Sequence, residues 1–274
     1  MLFKTKSKAT TNTVPKPAVE ASALESELNY WEQCLSASFG DDGLELAPEQ
    51  RDRTLVPSLE DIQTIQSKSK ANPLVFLSSG MQASVYYLEE LKRAGFAPSK
   101  FSRVLEFGVG FARILRQFQP LDAELHGCDV TPGVIEWCKG NLGGLGQFLV
   151  SDFDPPLPYP DGHFDFIFAN SVFTHLQHEQ TLAWITELRR VVRKGGAVIT
   201  THYDINEHLR GFAASELHRV WAEKGYFEWG DRSVRENNIC YSPELLSQIW
   251  SEHFEVLERR QYPLEQTHLV CRAL

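Results

Sequence analysis

From Arg103 to Thr201 short apolar runs alternate with amphipathic stretches, and that alternation limits the possible fold more than any other feature. The runs are Val104-Leu105, Leu125 to Val130, Gln147 to Val150, Phe164 to Ala169 and Ala197 to Thr201. Between them, Ile114, Leu115 and Phe118 fall on one helix face, Pro132 opens another helix, and a third spans about Gln177 to Val192. Lys194-Gly195-Gly196 predicts a turn into the fifth run. Strands separated by helices give a parallel sheet covered on both faces. Phe254 to Arg260 and His268 to Arg272 have no helix between them, which predicts an antiparallel pair at the sheet edge.

The segment VLEFGVGFAR joins the first strand to the first expected helix. Glycines there let the backbone turn sharply and let a ligand approach it closely. Two nucleotide-binding patterns compete. A dinucleotide fingerprint beginning at Gly108 and Gly110 needs a small residue at position 113, where this chain has Arg113. The pattern acidic-x-Gly-x-Gly-x-Gly/Ala is met by Glu106, Gly108, Gly110 and Ala112. This segment resembles motif I of the class I S-adenosylmethionine-dependent methyltransferases, with alanine in place of the third glycine. The phrases PDGHFDFIFANSVFTHL and LRRVVRKGGAVITT resemble the fourth strand, helix, glycine turn and fifth strand of the same family.

The resemblance implies a Rossmann-like α/β fold. The sheet is expected to be mostly parallel and seven-stranded with helices on both faces, to which the residues themselves add an antiparallel terminal hairpin and an N-terminal helical extension. The resemblance also implies S-adenosylmethionine as cofactor. Asp129, with Val130 beside it, ends the second strand, where a carboxylate can accept from both ribose hydroxyls. Asp152 and Phe153 follow the third strand, and the resemblance assigns them to the adenine amino group and ring face. The alternative is a surface turn, since Asp152, Asp154, Pro155 and Pro156 all favour turns. Asn170 and Ser171 lie at the carboxyl end of the fourth strand, where ligands of open α/β sheets bind.

The family reaction is attack of an acceptor on the sulfonium methyl group, for which alignment and a dry pocket suffice unless a hydroxyl must be deprotonated. Two candidate bases are His175, after the fourth strand, and His202, at the end of the fifth beside Tyr203 and Asp204. Thr174 and Gln177 are spaced as a capping box, which would make His175 a first-turn helix residue. The insertion at about 205–241 carries Trp221 and Trp229 among other aromatics; these and Tyr203 are candidates for the acceptor wall, or else core. No clustered ligand set points to a metal.

Before residue 99 the chain reads as a tail over 1–22 and a helical extension over 23–98, with the methyltransferase-like domain over 99–274. Helices are expected over Ala23 to Ser36, from Pro57-Ser58 with Ser58 and Asp61 as a capping box, and over Gln82 to Ala94, stopped by Gly95. An acidic loop is expected over Gly40 to Arg53. The tail is basic, Ser/Thr-rich and without an acid before Glu20; it reads as solvated and disordered, with an organellar transit peptide as the alternative.

Net charge is -9, which repels phosphate backbones and favours a small-molecule acceptor, or a neutral group on a larger one, over nucleic acid. The five cysteines are scattered and form no CxxC pair, so reduced thiols in a cytoplasmic protein are expected. No apolar run is long enough to span a membrane. Two further readings stay open: a methyltransferase-fold binding or regulatory protein without turnover, and a nicotinamide-dependent oxidoreductase.

Overall fold

The computed structural model describes residues 19–41, 43–45, 55–65, 72–203, 214–230, 237–261 and 266–274. Most of the expected tail, most of the acidic loop, Asp204 and much of the 205–241 insertion lie outside them. Three helices come first: α1 (Val19–Gly40), α2 (Leu59–Ile65) and α3 (Pro73–Arg93). The expected capping box opens α2, with Asp61 N–H donating to Ser58 Oγ at 3.1 Å and Ser58 Oγ donating to Asp61 Oδ2 at 2.7 Å. α3 begins at Pro73 rather than near Gln82. Asn72 accepts from Leu74 N–H at 2.8 Å, and Pro73 sits where a missing N–H costs nothing.

The sheet then builds from β1 (Arg103–Phe107), β2 (Glu124–Asp129), β3 (Gln147–Val150), β4 (Phe164–Ala169) and β5 (Val192–Tyr203). They run parallel in the order β3-β2-β1-β4-β5. α4 (Pro132–Leu142) and α5 (His178–Val191) are the crossovers after β2 and β4. The Lys194-Gly195-Gly196 turn is instead absorbed into β5: Gly195 takes φ 72°, and the pairing with β4 shifts register there.

Beyond β5 come α6 (Ala214–Lys224), β6 (Tyr226–Trp229), β7 (Asn238–Tyr241), α7 (Pro243–Ser251), β8 (Phe254–Gln261) and β9 (Gln266–Ala273). β9 lies antiparallel between β5 and β8, so the terminal hairpin places one strand inside the sheet and one at its edge. Among the described residues the sheet has 9 strands, the expected seven with one further pair. The additional pair is the β6–β7 hairpin, which meets β5 at Tyr203↔Cys240 and is drawn from the insertion.

A full helix after β1 does not form. Ala112 adopts the left-handed region at φ 54°, and a single 3-10 turn over Leu115–Phe118 follows before Pro120. α3 covers that part of the sheet instead. Its Phe76, Tyr87, Leu88 and Leu91 are fully buried in one core with Phe166, Phe168 and Val270 of the sheet. At Gly80 the two segments touch so closely that an added Cβ would lie 2.2 Å from the Arg113 carbonyl oxygen.

Candidate functional site

The turn after β1 is shaped by three left-handed residues, Gly108 (φ 77°), Gly110 (φ 51°) and Ala112. A side chain at Gly108 would strike Val172 Cγ2 at 2.2 Å. Gly108 and Val109 donate their N–H groups to Cys128 O at 2.9 and 2.8 Å, and Gly110 N–H donates to Asp129 Oδ2 at 3.0 Å. Thr131 N–H donates to Asp129 Oδ1 at 2.9 Å. Each carboxylate oxygen thus has one backbone donor and retains capacity for a ligand hydroxyl.

This turn forms one wall of a cavity of about 670 Å³ at the carboxyl ends of β1, β2 and β4. Glu106, Gly108, Gly110, Asp129 and Val130 line it together with Asp152 and Phe153, which extend it past β3. Phe153 is anchored by its carbonyl, which accepts from Trp184 Nε1 at 3.0 Å, while its side chain is 46% exposed. Asn170, Ser171 and His175 line the end beyond β4. Asn170 Oδ1 accepts from the buried Tyr87 hydroxyl at 2.8 Å, which ties β4 to α3. Ser171 is held at φ 58° by donating its N–H to Thr201 Oγ1 at 2.7 Å and by a hydrogen bond between its hydroxyl and the Gln266 amide.

The two candidate bases part company. α5 is capped by Gln177 with Gln180 rather than by Thr174 with Gln177, so His175 sits in the loop before the helix, on the cavity wall. Its Nδ1 lies 2.9 Å from the Asn237 carbonyl, which can only accept. That contact places the proton on Nδ1 and leaves Nε2 as the basic nitrogen. Burial holds the imidazolium below its usual pKa, only partly opposed by the Asn237 contact.

His202 points to the other face of β5. It is 2% exposed, packs against Phe173 and Trp250, and places Nε2 2.9 Å from Thr200 Oγ1. Burial pushes it down to about 3, with His268 acting in the same direction, and it does not line the cavity. Tyr203, Trp221 and Trp229 pack with Phe227 and Cys240 in a separate small cluster. Tyr203 does not itself line the main cavity; its ring centre lies 5.9 Å from that of His175, which does, and Trp229 borders a second cavity of about 310 Å³.

Closure of the pocket by the N-terminal helices is compatible with the sequence, but sequence reading names none of the individual residues in the remainder of the wall. Val75, Ser79 and Ala83 come from α3, and Gln266 and His268 from one face of β9. Their signal was faint: small residues beside Gly80, and polar residues at alternate positions of a buried strand. Arg113 also faces the cavity, with Nη1 3.4 Å from Ser79 Oγ. Glu106 accepts from Leu115 N–H at 2.9 Å. Burial pushes its pKa up to about 8, with Asp129 acting in the same direction and Arg113 and the Leu115 N–H against it. Among the described residues, no group of three or more His, Cys, Asp or Glu is arranged to hold a metal ion, and no helix is long and apolar enough to cross a membrane.

Residues 105–200 match a family model described as a methyltransferase domain. Among solved structures, the chain resembles an S-adenosylmethionine-dependent methyltransferase from Methanosarcina mazei, with 19% identity, TM-score 0.52 and coverage of 63% of this chain and 92% of that one. A methyltransferase from Aquifex aeolicus matches at 18% identity and TM-score 0.51, over 80% of this chain and 100% of that one. Magnesium protoporphyrin IX methyltransferase from Synechocystis, solved with bound S-adenosylhomocysteine, matches at 13% identity and TM-score 0.51, over 73% and 87%.

Proposed function

We propose, from the premise that this chain carries a class I S-adenosylmethionine-dependent methyltransferase domain, that it methylates an oxygen or nitrogen atom of a small molecule held between β4, β9 and α3. The residues fit the cofactor: the cradle has no room for a Cβ at Gly108, and Asp129 keeps acceptor capacity for the ribose. Asp129 and Val130 would take the ribose side, and Asp152 and Phe153 the adenine. Gly108, Gly110, Glu106 and Asn170 would border the amino-acid end. Bound there, S-adenosylmethionine supplies a methyl group already activated by its sulfonium, and the protein's task is alignment and exclusion of water.

The observation that carries the small-acceptor reading is the cavity itself. At about 670 Å³ it lies within the usual size of small-ligand sites, and α3 lines it opposite the glycine turn. The acidic net charge of -9 also disfavours a polyanionic acceptor. His175 is assigned as the base where the acceptor is a hydroxyl, because its Nε2 is left basic by the Nδ1 contact. The five cysteines form no disulfide and four of them are buried, which supports a reducing, cytoplasmic setting.

The test is transfer of label from methyl-tritiated S-adenosylmethionine into a cell extract separated into small-molecule and macromolecular fractions. Label is expected in the small-molecule fraction, and His175→Asn should lower the rate by about 10²-fold or more for a hydroxyl acceptor. The wild-type rate should fall only below pH 6.5, the ordinary imidazole value, because burial lowers the His175 pKa. Label confined to protein or RNA would overturn the small-acceptor reading.

A further inference from the structure

Ser171, two residues past β4, sits in the left-handed region at φ 58°, which a residue with a side chain keeps only where its surroundings enforce it. Its N–H donates to Thr201 Oγ1 at 2.7 Å, and its hydroxyl is the middle of a hydrogen-bond series that runs from α3 to β9. The series begins at Tyr87, which is fully buried; burial pushes its phenol pKa up, so the hydroxyl keeps its hydrogen. That hydroxyl donates to Asn170 Oδ1 at 2.8 Å, and Asn170 Nδ2 donates to Ser171 Oγ at 3.3 Å. Ser171 Oγ lies 3.1 Å from Gln266 Oε1 and 3.0 Å from Gln266 Nε2.

The polarity of such a series is set at its buried end, because an enclosed O–H must find an acceptor. Tyr87 gives its hydrogen to Asn170 Oδ1, which turns the Asn170 amino group toward Ser171. A hydroxyl can accept twice but donates only one hydrogen. Ser171 therefore accepts from Asn170, gives its own hydrogen to Gln266 Oε1, and takes one N–H of Gln266 in return. The other N–H of Gln266 is left over, on a residue that lines the cavity.

Gln266 also stands near His175. It pairs with Tyr203 across β5 and β9, and the Tyr203 ring centre lies 5.9 Å from that of His175. We propose that the series Tyr87–Asn170–Ser171–Gln266 presents this amide N–H to the methyl acceptor, which is a hydroxyl compound with a carbonyl or carboxylate oxygen beside the hydroxyl. His175 takes the hydroxyl proton and Gln266 holds the neighbouring oxygen. Tyr87 is a positioning residue that acts through Asn170. The inference rests on the small-acceptor reading of the same cavity.

The probe is methyl-tritiated S-adenosylmethionine supplied with the small-molecule fraction of a cell extract, the labelled product being purified for mass spectrometry and NMR. That product should be a methyl ether next to a carbonyl or carboxylate carbon. Gln266→Glu exchanges the donor for an acceptor of the same shape. It should raise the extract concentration that gives half-maximal rate by about 10-fold or more, with S-adenosylhomocysteine affinity unchanged in calorimetry. Gln266→Met should act in the same direction, and it carries the comparison if circular dichroism shows the Glu variant unfolded. Tyr87→Phe keeps the ring but removes the orienting hydrogen, and should raise the half-maximal concentration by a smaller factor.

Any other labelled small-molecule product would overturn the proposal. So would a half-maximal concentration that is unchanged or lowered in the folded Gln266 variants, since the amide would then offer its oxygen or nothing. Weakened S-adenosylhomocysteine binding in those variants would mean that Gln266 only holds the loop after β4, and would overturn it too. Absence of label from the small-molecule fraction would overturn the small-acceptor reading itself, and this inference with it.

Discussion

Glu106 is a carboxylate deprived of the water that normally solvates it, and its raised pKa has a consequence for stability. The folded protein holds that proton more tightly than the unfolded chain, whose pKa is near 4.5, while the folded value is about 8. Stability from this group is therefore fullest below pH 4.5 and is lost as pH rises toward 8. Glu106→Gln removes the penalty. The ligand-free variant should melt a few degrees above wild type at pH 8 and close to it at pH 5. Matching melts at both pH values would show that Glu106 is solvated. At this scale the placing of Glu106, Gly108, Gly110 and Asp129 on one cavity wall was legible, because a turn this tight after a strand leaves the backbone few alternatives. His202 was misjudged because strand alternation turns it away from Thr201, toward Phe173 and Trp250. His268 and Gln266 could not be foreseen, since their place depends on β9 docking antiparallel on β5.

Among the elements, α3 decides more about the cavity than its position ahead of the sheet suggests. Its contact at Gly80 is backbone to backbone, and its Tyr87 bonds Asn170. In an open helix Gly→Ala would stabilise by up to about 1 kcal/mol. Here the added Cβ meets a carbonyl oxygen at 2.2 Å that cannot rotate away, so Gly80→Ala should instead destabilise by about 1–3 kcal/mol. It should also displace Arg113 on the cavity wall. A Gly80→Ala protein more stable than wild type in urea titration would contradict this packing. The five parallel strands were readable from their apolar runs. The helix expected after β1 was not formed, because the pattern Ile114, Leu115, Phe118 fits a single 3-10 turn equally well and Pro120 permits no more. The early start of α3 was hidden because Leu74 to Leu77 is a continuous apolar run that shows no helical period.

The whole molecule joins its N-terminal helices to the sheet through a shared core, in which Tyr87 and Phe168 rings lie 5.5 Å apart. Fully burying side chains of this kind stabilises by about 1.5–3 kcal/mol each. Loss of Phe76, Tyr87, Leu88 and Leu91 alone would therefore consume much of the roughly 5–15 kcal/mol available to a domain. A chain beginning at residue 97 should show no cooperative thermal transition; a sharp melt would show that the sheet stands alone. The parallel sheet and the terminal hairpin follow from sequence order. The β6–β7 hairpin does not, since its aromatic residues read equally well as pocket wall, and the structure packs Phe227 and Trp229 on Tyr203.

The most direct measurement is calorimetric titration of the intact chain and its Asp129→Ala variant with S-adenosylhomocysteine, with NADH as control. Micromolar binding to wild type, about 10- to 100-fold weaker in the variant and absent for NADH, is the predicted result. Binding of NADH alone, or S-adenosylhomocysteine affinity unchanged by the loss of Asp129, would contradict a cofactor site built on the glycine turn and Asp129.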